Sequence, residues 1–204
     1  MALALVRKQA IEDTYNRVLT VTRDLVAEGG WSAAQMSTIA SRAGLAIGSL
    51  YRYFDTKVDL CVQILSEVSE REAAIVRGIL TSEGDVSSRL HDAIAVFVRR
   101  AFRKPRLAYA LIAEPCEPAL DEARLRYRKN LAEVFADAIR EGAASGEFVS
   151  TPADLLSTCV IGAMMEPLIQ PLARERVLSR DELKALANDI ANLCMRMVCV
   201  NERR

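Results

Sequence analysis

Apolar side chains recur along this chain every three or four residues, the spacing at which a helix buries one stripe. The first run, about residues 7–28, sets Ile11, Tyr15, Val18, Leu19, Thr22, Leu25 and Val26 on one face, and Gly29-Gly30 stop it. Residues 37–43 predict a short second helix with Ile39, Ala40 and Ala43 inward. Gly44 follows as a residue that tolerates left-handed dihedrals at a helix end. Residues 47–54 predict a third helix burying Leu50 and Phe54, and Trp31, in the first loop, is expected to plug the core of this small unit.

A long helix over residues 56–80, with Leu60, Ile64, Leu65, Val68, Ile75 and Ile79 inward, then joins the small unit to the rest without a flexible tether. Five more helical segments follow. Residues 86–103 bury Leu90, Ala93, Ile94, Phe97, Val98 and Ala101; residues 105–113 start at a proline; residues 118–144 bury Leu131, Val134, Phe135, Ala138 and Ile139. Ser37 is a candidate cap for the second helix, since Gln35 caps poorly. The charged stretch 121–129, with Glu122 and Arg126 four apart, reads as a solvated face. Residues 155–173 form the next helix, apolar nearly all round over residues 155–165, and residues 181–200 repeat Leu183, Leu186, Ala187, Ile190, Leu193, Cys194 and Met197. No strand period, repeat or low-complexity segment appears. The expectation is an all-α chain, with a first domain over residues 1–60 and a larger helical domain over 61–204.

Composition narrows the function. The chain has 204 residues, is 51% hydrophobic and holds few Gly and Pro, which favours an all-α protein. Its 27 basic and 27 acidic residues cancel, so no global field draws it to nucleic acid. DNA affinity would have to come from local cations and from pairing two copies. Cys61, Cys116, Cys159, Cys194 and Cys199 form no C-x-x-C pair and adjoin no histidine cluster, which suggests free thiols in a reducing cytoplasm, used as small hydrophobes. A single histidine, no Gly-rich phosphate loop and no nucleophile motif argue against an enzyme, a metal site or a cofactor. No apolar run approaching the ~20 residues of a membrane span and no cleavable signal are read here, so no membrane partner is expected.

The distinctive chemistry lies at residues 35–57, QMSTIASRAGLAIGSLYRYFDTK. Two short helices joined by a Gly-containing turn (about 35–54) form a helix-turn-helix, whose second helix enters the major groove in DNA-binding versions. With Leu50 and Phe54 inward, Ile47, Gly48, Ser49, Tyr51, Arg52 and Tyr53 face out, and Lys57 lies just beyond. That is a dense set of phosphate donors, and Gly48 lets the helix start approach a duplex closely. On these residues alone, a plain core hairpin with a polar face remains the alternative.

The segment resembles the N-terminal DNA-binding domain of the TetR family of transcriptional regulators. Ile39-Ala40, Ala43-Gly44, Gly48-Ser49-Leu50-Tyr51, Tyr53-Phe54, Lys57 and Leu60 fall in register with that family's pattern. Gln35, Ala46 and Val58 depart from its usual Thr, Ser and Glu. The resemblance covers about the first 65 residues and implies that Ser49, Tyr51, Tyr53 and Lys57 hold phosphates. Base reading is then expected of Ile47, Arg52 and Ser37, since an Arg fork matches guanine and an aliphatic side chain meets a thymine methyl.

It also implies a homodimer on a palindromic double-stranded operator, paired through Leu155, Cys159, Gly162, Ala163, Leu183, Leu186, Ile190, Leu193 and Met197. The other reading is that these last helices bury each other within one chain. A small-molecule effector cavity in the larger domain is implied too. Its candidates are polar or large groups on apolar faces: His91, Phe97, Phe102, Tyr109, Glu114, Cys116, Tyr127, Met164, Met165 and Glu166. His91 also suits a boundary position, the two methionines suit core filling, and Glu166 precedes Pro167, which frees a helix carbonyl. The expected function is a homodimeric repressor released from its operator by an apolar or amphipathic ligand. A constitutive or protein-regulated repressor without a pocket, and a non-catalytic helical interaction protein, are the alternatives.

Overall fold

The apolar period becomes nine α-helices among residues 2–200, which a computed structural model describes. They are α1 (Ala2–Gly29), α2 (Met36–Arg42), α3 (Ile47–Leu50), α4 (Lys57–Leu80), α5 (Val86–Ala101), α6 (Pro105–Ile112), α7 (Pro118–Ser145), α8 (Ala153–Ala173) and α9 (Arg180–Val198). Local chemistry fixes where they begin. Thr56 Oγ1 accepts from the Asp59 N–H at 3.0 Å while Asp59 accepts from the Thr56 N–H at 3.1 Å, a capping box that opens α4. Ser179 and Glu182 do the same for α9, and Asp85 caps α5. Pro105 and Pro118 occupy first turns, where a missing N–H costs nothing.

The small N-terminal domain packs Val18, Leu25, Val26, Trp31, Ala34, Ile39 and Leu50 together with Leu60 of α4. Ile11 lies outside this core, half exposed on α1. The third helix is one turn, shorter than the period predicts. Past Leu50 the Tyr53 and Phe54 N–H groups both donate to the Leu50 carbonyl (2.9 and 3.2 Å), so the chain tightens into turns. Phe54 stays buried by stacking on Tyr15, ring centres 5.1 Å apart.

In the larger domain α5 is central, touching α4, α7, α8 and α9, while α4 and α7 lie side by side and α6 bridges α1 to α8. Along α4 the buried stripe drifts: Ala73, Val76 and Leu80 are buried, and Ile75 and Ile79 only partly. The 3.6-residue period turns the stripe as α4 passes from α1 to α5 and α7. The charged start of α7 is not wholly a solvated face. Glu122 and Arg126 do pair in solvent at 3.1 Å. Arg124 is buried instead, donating to the Leu111, Ala110 and Glu114 carbonyls at 3.0, 3.2 and 2.7 Å. A cation there satisfies the carbonyls left open at the end of α6.

One expectation about membranes fails on length and composition: α8, 21 residues, is long and apolar enough to span one. Here it packs against α5, α6, α7 and α9. That leaves Leu155, Cys159 and Gly162 on an exposed stripe beside the half-buried Ala163.

Candidate DNA interface and effector cavity

The helix-turn-helix is built from its turn outward. Gly44 adopts φ +68°, a region that penalises any Cβ, and lets the Leu45 N–H return to the Ala40 carbonyl at 2.9 Å. Leu45 thus re-enters the small core, and the fully buried Leu50 holds α3 against α2. The side chains left outside are Ser37, Ile47 (48% exposed), Tyr51 (47% exposed) and Arg52, with Ser49, Tyr53 and Lys57 half-buried at the margin. Gly48 faces open space, so nothing inside the protein requires glycine there. Arg52 rests on Ser49 Oγ at 3.1 Å, and Arg42 is tied to Glu28 at 2.7 Å, which holds that carboxyl below its ordinary range. Ser37 stands inside the first turn of α2 and caps nothing. Gln35 occupies the cap position with its side chain turned back to the Ser32 carbonyl at 2.8 Å.

The larger domain holds a cavity of about 550 Å³ between α4, α5, α6 and α7. Its apolar walls include Val68, Phe97, Ala101, Leu107, Leu111 and Ile112, and its charged lining is mostly cationic: Arg23, Arg71, Arg100, Arg103 and Lys104 against Glu67 and Glu72. Arg100 grips both Glu72 oxygens at 2.6 Å, and Lys104 reaches Asp24 at 3.1 Å. No ion pair engages Arg23, Arg71 or Arg103 among the described residues. A second, more polar space of about 780 Å³ runs between α4 and α7, and Ser69 and Tyr127 wall both.

Of the sequence candidates, Phe97 and Tyr127 line the first cavity. The rest are engaged elsewhere. His91 sits beside Asp92 at 3.6 Å, and Phe102 ends α5 half-buried. Tyr109 carries Arg106 over its ring at 5.5 Å, and Glu114 pairs with Arg106. Cys116 lies 3.3 Å from Arg124, Met164 and Met165 are sealed in the core, and Glu166 is exposed on α8. The walls that sequence reading missed come from cations, which look like ordinary solvated positions, and from aliphatic residues such as Leu107, Leu111 and Ile112, which look like ordinary core until the helices are assembled.

Residues 18–64 match the family model described as bacterial regulatory proteins, tetR family. Over that stretch the chain is similar to the N-terminal segment of the TetR family. Against the transcriptional repressor KstR of Mycolicibacterium smegmatis it is 34% identical over 103 residues, half of this chain and half of that protein. The chain spans about half the length, or less, of the curated relatives it matches. The fold extends further. The fatty acid degradation regulator FadR of Bacillus halodurans superposes with a TM-score of 0.78 at 21% identity, over 89% of this chain and 94% of that one. FadR of Bacillus subtilis, solved with stearoyl-CoA, superposes at 0.77 and 20% identity over 89% and 97%.

The two domains of this chain meet twice. One joint is α4 itself. The other is polar and runs from the end of α1 to α6. Trp31 Nε1 donates to the Ala110 carbonyl at 3.0 Å and the Trp31 N–H to Glu114 at 3.2 Å; Arg106 pairs with Glu114 and donates to the Gly29 carbonyl at 3.4 Å. Gly30, at φ +71°, passes so close that a Cβ would collide with Arg106 and Glu114. Trp31 therefore plugs the small domain and also ties it to the larger one.

The outer faces of α8 and α9 carry the exposed apolar groups Leu155, Leu193 and Met197. Leu183 and Leu186 are half-buried, and Ile190 is sealed within the protomer.

Proposed function

We propose that this chain is a cytoplasmic, homodimeric transcriptional repressor that leaves its operator when a small amphipathic molecule enters the cavity of the larger domain. Residues 1–60 bind DNA and 61–204 bind the effector and the second copy. Ser49, Tyr51, Tyr53 and Lys57 hold phosphates, and Ile47, Arg52 and Ser37 face base edges, with Gly48 allowing close approach.

The observation that carries the effector reading is the polarity of the cavity. Apolar walls from Phe97, Leu107, Leu111 and Ile112 suit a hydrocarbon chain, and unpaired Arg23, Arg71 and Arg103 suit an anionic head. The stearoyl-CoA in the Bacillus subtilis FadR structure has that division into acyl tail and phosphorylated head. Effector binding reaches the DNA face through α6. Leu107, Ala108, Leu111 and Ile112 wall the cavity, while the Ala110 carbonyl holds Trp31.

The dimer rests on Leu155 (60% exposed) and Leu193 (57% exposed), with Cys159, Ala163 and Met197, around Gly162, where no atom of the protomer would meet a Cβ. Leu183 and Leu186 lie at its margin. Light scattering should report twice the 22.5 kDa chain mass, and Leu193→Glu should give folded monomers, since only the partner covers that side chain.

A mobility shift on DNA flanking the gene tests the whole reading. A specific complex that palmitoyl-CoA dissolves is expected. A specific complex unaffected by acyl-CoA would leave a constitutive repressor, and no complex at all would remove the DNA-binding role.

A further inference from the structure

Ser69 is the one hydroxyl of this chain that burial leaves without a partner among the described residues. It is 4% exposed, in the middle of α4. A serine or threonine inside a helix either turns to solvent or bonds the carbonyl one turn back. Thr14, Thr22 and Thr158 take that bond within their helices here, each at 2.8 Å to the residue four positions earlier. Ser69 does not take that bond, and it stands in the wall where the 550 Å³ cavity adjoins the groove between α4 and α7. Tyr127 of α7 shares the same two spaces.

We propose that Ser69 and Tyr127 form a hydrogen-bonding subsite for an uncharged oxygen of the effector, a carbonyl or hydroxyl carried on its otherwise apolar body. This rests on the reading of the cavity as an amphipath site and adds a chemical requirement to it. An unpaired buried hydroxyl is retained at a cost in stability, and a ligand oxygen seated there removes that cost. Tyr127 is suited to donate: burial, and then the Glu72 charge, push its phenol well above the ordinary range, so it keeps its proton. An anionic group is poorly served at this depth, because the nearby Arg100 is already neutralised by both oxygens of Glu72. A saturated hydrocarbon leaves the serine unpaired. An uncharged acceptor matches both hydroxyls.

Calorimetric titration of the full-length protein with palmitoyl-CoA and with S-hexadecyl-CoA isolates the oxygen, since the second probe lacks only the thioester carbonyl. The wild type should bind palmitoyl-CoA about tenfold more tightly, the worth of one well-made buried hydrogen bond. Ser69→Ala and Tyr127→Phe should each remove most of that preference without weakening the thioether. Ser69→Ala should also melt no lower than wild type, because it deletes an unsatisfied group. Equal binding of both probes by the wild type, or variants that lose both probes alike, would overturn the subsite while leaving the amphipath cavity standing. Failure of the wild type to bind either probe would remove both.

Discussion

The two joints between the domains are built from opposite materials. α4 crosses as continuous helix, capped by Thr56 and Asp59 at the small-domain end and covered by apolar packing, with Leu60, Cys61, Ile64 and Leu65 all buried. The α1–α6 joint is non-covalent and polar, made by Trp31, Arg106 and Glu114 across a backbone that only Gly30 can bring so near. Apolar contact is tolerant of small slides, whereas hydrogen bonds weaken steeply once distance and angle are lost. On the proposed function, α4 sets how far apart the domains sit and the polar joint registers any movement of α6. The cavity touches both, through Val68, Ser69 and Glu72 of α4 and through Leu107, Leu111 and Ile112 of α6, and α6 also carries the polar contacts to Trp31 and Gly29.

The most damaging test of this contrast is Trp31→Ala. It empties a buried indole site and removes the Nε1 bond together, and large-to-small core changes of this kind cost about 3–5 kcal/mol. Calorimetry should show a strongly lowered Tm, with the small domain melting before the larger one. A single unshifted transition would mean α4 alone holds the domains together. Glu114→Gln is milder, leaving the half-buried Arg106 without its counter-charge at a cost of about 1.5–3 kcal/mol. Operator affinity without effector should fall, since the joint is then partly open already. If affinity and effector response both stay at wild-type values, the polar joint carries no signal.

Thr56→Ala addresses the other joint. Losing a capping box costs about 1 kcal/mol, read as a lower denaturation midpoint. The fractional release of DNA by effector should be unchanged, because α6 and its contacts are untouched. A variant as stable as wild type but deaf to effector would reverse the assignment of roles.

What the sequence made legible follows the same division. Apolar period and punctuation marked the helices because burial of a stripe is a local pattern, and Gly44, Leu50 and Phe54 could be placed by spacing alone. The candidate effector residues were chosen as polar or bulky groups on apolar faces, and most proved satisfied by neighbours that only assembly supplies. Glu114 meets Arg106, Cys116 meets Arg124, and the two methionines fill core. Conversely Arg124, in a run that reads as solvated charge, is buried to close α6, and Ser69 looks like any polar residue on a long helix. The α3 helix was overestimated because Phe54 keeps helical spacing while its backbone has already turned. Ile190, an apolar position on α9, faces inward, so its substitution by Glu tests folding and not assembly.

The smallest effect near neutrality comes from alkali, and it acts on the apolar joint. Burial pushes the Cys61 thiol up to about 12 and the Cys194 thiol to about 11. Cys61 lies on α4 beside Leu60 of the small-domain core, where its thiol senses Lys57, Glu117 and Cys116. The folded state thus holds protons that an unfolded chain releases at lower pH. The stability this confers is fully present below the unfolded thiol range, about 8.5, and is lost as pH rises from there through 11 and 12. At the pH where an unfolded thiol is half ionised, each such group costs about 0.4 kcal/mol, and the loss steepens above it. Melting curves from pH 8 to 11 should therefore slope downward in the wild type and less so in Cys61→Ala, whose lost side chain lowers Tm at every pH without steepening the fall. A slope identical in the two proteins would show that the buried thiol on α4 exchanges with solvent before the fold opens, and that the apolar joint is looser than its packing implies.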